Sequence, residues 1–203
     1  MTAAKTTGIK PQPSKKFGPK LMLGTLAAVS LIAFWEGGKD PDGSSVVYAD
    51  KLAQGLPTVC SGITKWTTDA PLVVGERWSA DRCLAAEQIA VIKIQTQLEQ
   101  CFEKRPPQSV FDSATSHAWN FGSFATCYSS AMRAWNAGDW AIGCRRLAFD
   151  DNGRMIWSYV KTGKILPNGK PEYKFIQGLA NRRQDEYIKC VQWMPEPWKP
   201  AND

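Results

Sequence analysis

Leu21 to Trp35 reads LMLGTLAAVSLIAFW and runs directly into Glu36-Gly37. Tyr48-Ala49-Asp50 follows, and then Gly55-Leu56-Pro57-Thr58-Val59-Cys60. An acid, a second acid and a threonine thus succeed one another at the exit of an apolar segment. The pattern implies an exported chain whose acid chemistry stands at the start of its folded part.

The charges around the segment support export. Lys5, Lys10, Lys15, Lys16 and Lys20 precede it with no acid among them. Positive charge flanking an apolar segment holds that side in the cytoplasm. The same lysines account for most of the net charge of +6, because beyond them 20 basic residues face 19 acidic ones. A nucleic-acid footprint needs clustered excess charge on the fold, and this distribution excludes it. As one helix, the uncharged stretch spans about 22 Å, against a hydrocarbon core of roughly 30 Å. Gly24, Thr25, Ala27, Ala28 and Ser30 dilute it further. It fits a cleaved signal peptide, a permanent anchor, or a weak anchor that leaves the bilayer, although no clean small-x-small cleavage site is present. A buried helix of a cytosolic protein fits the length but not the basic leader.

Cysteine usage agrees with export. Cys60, Cys83, Cys101, Cys127, Cys144 and Cys190 all follow the apolar segment, and none forms C-x-x-C. With one histidine, His117, a zinc site would need thiolates at a metal spacing that is absent. No metal and no organic cofactor are expected. An even number of dispersed cysteines in an exported chain implies three disulfides, each stabilising by roughly 3–4 kcal/mol. In a cytosolic chain the same residues would be buried thiols. Sequence alone leaves the connectivity open.

The chain divides into a polar, flexible leader (1–20), a membrane-active helix (21–35) and one domain (36–203). Val46-Val47-Tyr48 and Thr58-Val59-Cys60 read as paired strands with Gly55 turning the chain between them. Ser79 reads as an N-cap. After it Cys83, Ala86, Ala90, Ile94, Leu98 and Cys101 recur every three or four residues, so one helix face is buried. Pro106-Pro107 ends that helix. Shorter helices are expected over 108–119, 123–136 and 139–148. A polar stretch with Gly163, Pro167 and Gly169 precedes a last helix over 171–193. The result is an α+β fold with a small N-terminal sheet and a larger helical body.

Glu36 is the first candidate for chemistry. A carboxyl held against Phe34 and Trp35 has its charged form disfavoured and can act as a general acid. Asp50, in a more polar stretch, can stay ionised as base or electrostatic partner. Glycoside hydrolysis needs such a pair, and the Thr58 hydroxyl can orient the attacking water. A solvated boundary residue is the other reading of Glu36, and Asp40 and Asp42 are rival carboxylates. His117 reads as structural. The 9 tryptophans are mostly core residues, with one or two available to line a sugar cleft.

The order Glu36-Gly37, Tyr48-x-Asp50, Gly55-x-Pro57-Thr58-Val59-Cys60-x-Gly62-x-Thr64 resembles the phage-type lysozymes of glycoside hydrolase family 24. Trp119-Asn120-Phe121-Gly122 is similar to the family's Asn-x-Gly segment. Gly178-Leu179-x-x-Arg182-Arg183-x-x-Glu186-x-x-x-Cys190 is similar to its closing helix. The resemblance covers residues 34–193 and implies a lysozyme-like fold. It implies Glu36 as general acid, Asp50 as second carboxylate, Thr58 as the partner that positions water, and Asn120 and Arg182 as substrate-binding. A structural salt bridge is the other reading of Arg182. Resemblance and position together pair Cys60 with Cys83, Cys101 with Cys127, and Cys144 with Cys190. The chain departs from the family around Asp50, with 13 residues between Glu36 and Asp50 and 7 between Asp50 and Thr58. Both stretches are longer than the family's. The family's spacing counted back from Thr58 falls on Leu52, which has no carboxyl, and Tyr48 keeps Asp50 as the match.

The resemblance implies an endolysin that hydrolyses, with inversion, the β-1,4 bond between N-acetylmuramic acid and N-acetylglucosamine of peptidoglycan, as a monomer. The weak helix before Glu36 looks like the anchor of a signal-anchor-release endolysin. Residues 21–35 would cross the host inner membrane once, with the domain in the periplasm until release. Two other classes remain. A tethered, non-catalytic peptidoglycan-binding protein would not depend on Glu36. A lytic transglycosylase would keep Glu36 but dispense with Asp50 and Thr58.

Overall fold

The computed structural model describes residues 11–51 and 55–194. The chain forms two compact units, one ending at Glu99 and one beginning at Gln100. Lys5 and Lys10 of the basic leader lie outside the described residues, as do 195–203.

The first unit opens with β1 (Gln12–Ser14) and β2 (Gly18–Leu23), which pair antiparallel with Gln12 opposite Leu23. The expectation of a flexible leader is therefore corrected from residue 11 onward. The expectation of one helix over 21–35 is corrected too. The stretch supplies the end of β2, a turn at Gly24-Thr25, and α1 (Leu26–Glu36). The break has a local cause. Gly24 takes φ +64, and a Cβ there would stand 2.9 Å from Ile92 Cγ1. Its N–H donates to Gln95 Oε1 at 2.7 Å. Thr25 then caps α1, its hydroxyl accepting the Ala28 N–H at 3.2 Å. A glycine in the left-handed region followed by an N-cap starts a helix rather than continuing one.

Leu21 and Leu23 of β2 are buried, as are Ala28, Val29, Leu31 and Ile32 of α1. Each large aliphatic side chain so buried contributes about 1.5–3 kcal/mol relative to exposure. Both elements pack on α2 (Ala80–Glu99). No described helix is long and apolar enough to cross a membrane.

Ser79 caps α2 as expected, accepting the Arg82 N–H at 3.3 Å. The helix ends at Glu99, well before Pro106. Between α1 and α2 lie β3 (Ser45–Val46), β4 (Tyr48–Asp50), β5 (Leu56–Thr58) and β6 (Arg77–Trp78). β3 pairs with β6 and β4 with β5, both antiparallel. Pairing thus starts two residues away from the expected strands: Tyr48 faces Thr58 and Asp50 faces Leu56.

The second unit is mainly helical. Its central helix α3 (Gln108–Phe121) is buried at every position from Val110 to Ala118. Small side chains there let α7 (Gln177–Cys190) lie along it. The helix expected over 123–136 is two helices, α4 (Ser123–Cys127) and α5 (Ser130–Ala137). Ser129 makes the break by capping α5, its side chain accepting the Met132 N–H at 3.0 Å. α6 (Trp140–Arg145) follows. The helix expected over 171–193 is corrected more strongly. Residues 159–175 form a hairpin of β7 (Tyr159–Ile165) and β8 (Pro171–Phe175), and α7 begins only at Gln177. Leu166-Pro167-Asn168-Gly169 is turn chemistry that identifies the reversal. A 3-10 turn over Val191–Trp193 follows α7.

Three disulfides close on the pairs implied by the resemblance: Cys60–Cys83, Cys101–Cys127 and Cys144–Cys190. Each lies within one unit.

A buried ionic cluster fastens α7 to α3. Glu186 Oε1 accepts from Arg183 Nη2 at 2.7 Å, Arg182 Nε at 3.3 Å and Ser116 Oγ at 2.6 Å. All three charged side chains are at most 4% exposed. Burial pushes the Glu186 carboxyl above its ordinary pKa, while Arg183, the Ser116 hydroxyl and Arg182 act in opposition. Removing one partner of such a group leaves buried charge uncompensated. Glu186→Ala is expected to destabilise the protein by about 3–5 kcal/mol, read as a lower denaturant midpoint at unchanged m-value.

Candidate functional site

α1 stops at Glu36 because Gly37 and Gly38 take φ +61 and +82. Glu36 is half-buried at that end. Its neighbours Phe34 and Trp35 pack edge to face with centroids 5.1 Å apart, and Phe34 turns outward at 75% exposure. β4 and β5 supply the other candidates. Tyr48 stands directly across from Thr58, and Asp50 lies two residues along β4, on the same face as Tyr48. Tyr48 is 44% exposed. Its phenol pKa is raised by partial burial first, then by the negative charges of Asp50 and Glu36. The two carboxylates thus act on one phenol, opposite Thr58. Thr58 is buried, and its hydroxyl donates to the Leu56 carbonyl at 3.1 Å. With its proton engaged, the oxygen keeps lone pairs to accept from a water.

The rival carboxylates are occupied in a turn. Asp40 Oδ2 receives Arg77 Nη1 at 2.5 Å. Asp42 Oδ1 accepts the Ser44 N–H at 2.9 Å. The Ser44 side chain and backbone together hold the Asp42 carboxyl below its usual pKa. Both aspartates shape the approach to β3, whereas Asp50 lies on β4 with Tyr48.

Two buried hubs fix the segments on which these residues sit. Ser45 Oγ donates to the Gly38 carbonyl at 2.8 Å and accepts the Cys60 N–H at 3.0 Å. Gly38 and Cys60 meet so closely that a Cβ on Gly38 would stand 2.6 Å from the Cys60 carbonyl oxygen. Cys60 itself takes φ +54, a costly conformation for a residue with a side chain. Its hydrogen bond to Ser45 and its bond to Cys83 hold it there. The second hub is Glu87 of α2. Its Oε2 accepts Lys39 Nζ at 2.8 Å and its Oε1 accepts the Ser61 N–H at 3.0 Å. Chain leaving Glu36 is thereby tied twice to chain leaving Thr58. Sequence reasoning passed over both hubs. Glu87 carried a signal, since it lies one turn after Cys83 on the face expected to be buried. Ser45 carried none.

Asn120 and Arg182 belong to the second unit. Asn120 is exposed, and its Oδ1 receives Arg183 Nη1 at 3.5 Å. Arg182 is 4% exposed and donates to Glu186 and to the Ser116 carbonyl, the geometry of a structural ion pair. Among the described residues no group of three or more metal-ligating side chains converges.

Short antiparallel ladders before a helical body, with Glu36 ending α1 and Asp50 and Thr58 on the ladders, define a lysozyme-like α+β protein. Family comparison narrows this. Residues 39–186 match the phage lysozyme family, and the chain belongs to it. The matched stretch includes Asp50, Thr58, Asn120 and Arg182 and begins three residues after Glu36. The fold is similar to an endolysin from Escherichia coli O157:H7 phage FAHEc1, at TM-score 0.63 and 22% identity over 84% of this chain and 94% of that one. It is also similar to the muramidase domain of SpmX from Asticaccaulis excentricus, at TM-score 0.61 and 22% identity over 82% and 96%. No curated protein sequence matches the chain.

His117 is structural, as expected. It is fully buried on α3, with Nδ1 2.9 Å from Thr126 Oγ1. That hydroxyl donates to the Gly122 carbonyl at 3.1 Å, so it accepts from the ring, which is neutral with its proton on Nδ1. Burial first, then the charges of Arg183 and Arg182, hold the imidazole pKa well below 6.5. The unfolded chain takes up that proton below about pH 6.5 and the folded one does not. Stability from this group is therefore complete above about pH 6.5 and declines as pH falls below it, by up to about 1.4 kcal/mol per pH unit. The unfolding midpoint is expected to drop between about pH 7 and about pH 5, and His117→Gln to flatten that drop.

Proposed function

We propose that this protein is an endolysin that hydrolyses the β-1,4 bond between N-acetylmuramic acid and N-acetylglucosamine in peptidoglycan, and so lyses its host cell. The observation that carries this reading is membership of the phage lysozyme family, with Asp50 on the strand that pairs with the strand ending at Thr58 and Glu36 at the end of the preceding helix. Glu36 gives its proton to the glycosidic oxygen as the bond from that oxygen to the sugar C1 breaks, and the bonding electrons go to the leaving oxygen. Charge builds on the ring, and Asp50 stabilises it as a carboxylate. Water attacks C1 from the opposite face, donating one hydrogen bond to Thr58 Oγ1 and its other proton to Asp50. The product inverts at C1. Membership of the family and the resemblance of the site support these roles.

The same reading extends to the apolar segment. Residues 21–35 begin as a weak, lysine-flanked anchor in the host inner membrane, with the rest of the chain in the periplasm. After release they pack into the first unit. Two facts support this. The segment is short and dilute for a span, and its large aliphatic side chains have places in that unit's core. While it lies in the bilayer, that core lacks β2 and α1.

Glu36→Gln is expected to slow turbidity loss of permeabilised Gram-negative cells by about 10²–10⁴-fold at unchanged thermal midpoint. Equal clearing by both proteins would remove Glu36 from the mechanism. Mass spectrometry of the products should show reducing ends, and anhydro-sugar ends would indicate a transglycosylase instead.

Ala27 and Ser30 are exposed in the folded unit, so leucines there raise the segment's hydropathy without crowding the core. Ala27→Leu with Ser30→Leu should hold the chain in the membrane pellet and delay lysis in expressing cells. Timing and fractionation identical to wild type would overturn the anchor.

A further inference from the structure

The β7–β8 hairpin has little part in either core. Every residue of β7 and all but one of β8 are exposed. Yet the hairpin is well built. Tyr159 pairs with Phe175 and Lys161 with Tyr173. Its base is closed by the Ile176 N–H donating to the Ser158 carbonyl at 2.8 Å. Thr162 Oγ1 ties the strands by donating to Glu172 Oε2 at 2.6 Å. A two-stranded ribbon that exposes so much apolar surface is costly in water unless it has a partner.

Its chemistry specifies that partner. Side chains alternate across a ribbon, so Tyr159, Lys161, Tyr173 and Phe175 share one face. The Tyr159 and Phe175 rings meet edge to face at 5.4 Å. At the tip, Ile165 and Leu166 are 66% and 39% exposed. Lys164 and Lys170 flank them, and the hairpin carries four lysines against one glutamate.

We propose that this hairpin docks on an anionic lipid bilayer surface. The lysines complement headgroup phosphates. Tyrosines, with an apolar body and a polar tip, suit the interface. Ile165 and Leu166 decide between partners. Aromatic rings and lysines would serve a glycan strand equally well, but branched aliphatic side chains at a tip require an apolar phase, which acyl chains provide and a polysaccharide does not. The proposal is independent of the hydrolytic mechanism, and its test measures no hydrolysis.

The test is co-sedimentation of the full-length chain with vesicles of equal parts phosphatidylglycerol and phosphatidylcholine, and with phosphatidylcholine alone. Wild type should partition onto the anionic vesicles and leave the zwitterionic ones. Ile165→Ser with Leu166→Ser, and separately Lys164→Gln with Lys170→Gln, should each lower that partition about tenfold or more. Far-UV circular dichroism and binding to isolated sacculi should be unchanged. Variants that sediment with anionic vesicles as wild type does would overturn the proposal, as would a wild type that ignores those vesicles. Normal vesicle binding with loss of sacculus binding would assign the hairpin to the glycan instead.

Discussion

Two buried side chains hold this protein's site together. The Ser45 hydroxyl bridges Gly38 and Cys60, and the Glu87 carboxylate bridges Lys39 and Ser61. Glu36 and Thr58 each stand two residues before a bridged position, so neither can move without straining both bridges. Such coupling would serve the catalytic roles proposed for Glu36 and Thr58, because a misplacement of about 1 Å costs roughly 10²-fold in rate. Backbone geometry shares in the clamp. Only a glycine fits at position 38, against the Cys60 carbonyl, and the Cys60–Cys83 bond ties the clamp to α2.

The second unit solves a different problem. Its central helix is buried all round, yet it carries Asp112, Ser113, Thr115, Ser116 and His117. Buried polar groups need partners, and α7 supplies one set through Glu186, Arg182 and Arg183. His117 takes its partner from Thr126 of α4 and is walled by Phe121 and Trp157, with ring centroids at 5.1 and 4.6 Å. Ser116 and His117 thus find complements on neighbouring helices, while Thr115 donates to the Phe111 carbonyl and Asp112 accepts from Gln108 within α3 itself.

The apolar segment at the N-terminus has two environments open to it. Leu21, Leu23, Val29, Leu31 and Ile32 fit the interior of the first unit while Leu26 is 61% exposed, and the proposed anchor would place the same side chains in a thin membrane span. What separates the two is local. Gly24 and Thr25 tolerate one continuous helix where no other backbone partner exists, but they favour a turn and a cap once Gln95 and Ile92 stand beside them. A weak anchor and a good core element are therefore compatible in one sequence.

Much of this was legible in the chain itself. The helix after Ser79 followed from its buried face and its cap. The α+β class followed from short strand signals before a run of helices. The three cysteine pairs followed from a resemblance carried by particular residues, and the same resemblance supplied Glu36, Asp50 and Thr58 as candidates. The hairpin at 159–175 was missed because its first strand is interrupted by Gly163 and lysines, although Glu172-Tyr173-Lys174-Phe175 alternates and Leu166-Pro167-Asn168-Gly169 marked the turn. Asp40, Asp42 and Asp50 look alike in one polar stretch, and only the structure shows that Arg77 and the Ser44 N–H bind the first two. Arg182 likewise had two readings until Glu186 was found within 3.3 Å. Sequence by itself determined the fold class, the long helix after Ser79 and the candidate residues for chemistry, because local periodicity, caps and residue type act over a few neighbours. Tertiary structure alone decided which of those side chains meet. The pairing of Tyr48 with Thr58, and the bonds of Glu87 to Lys39 and Ser61, join residues whose proximity no local rule encodes.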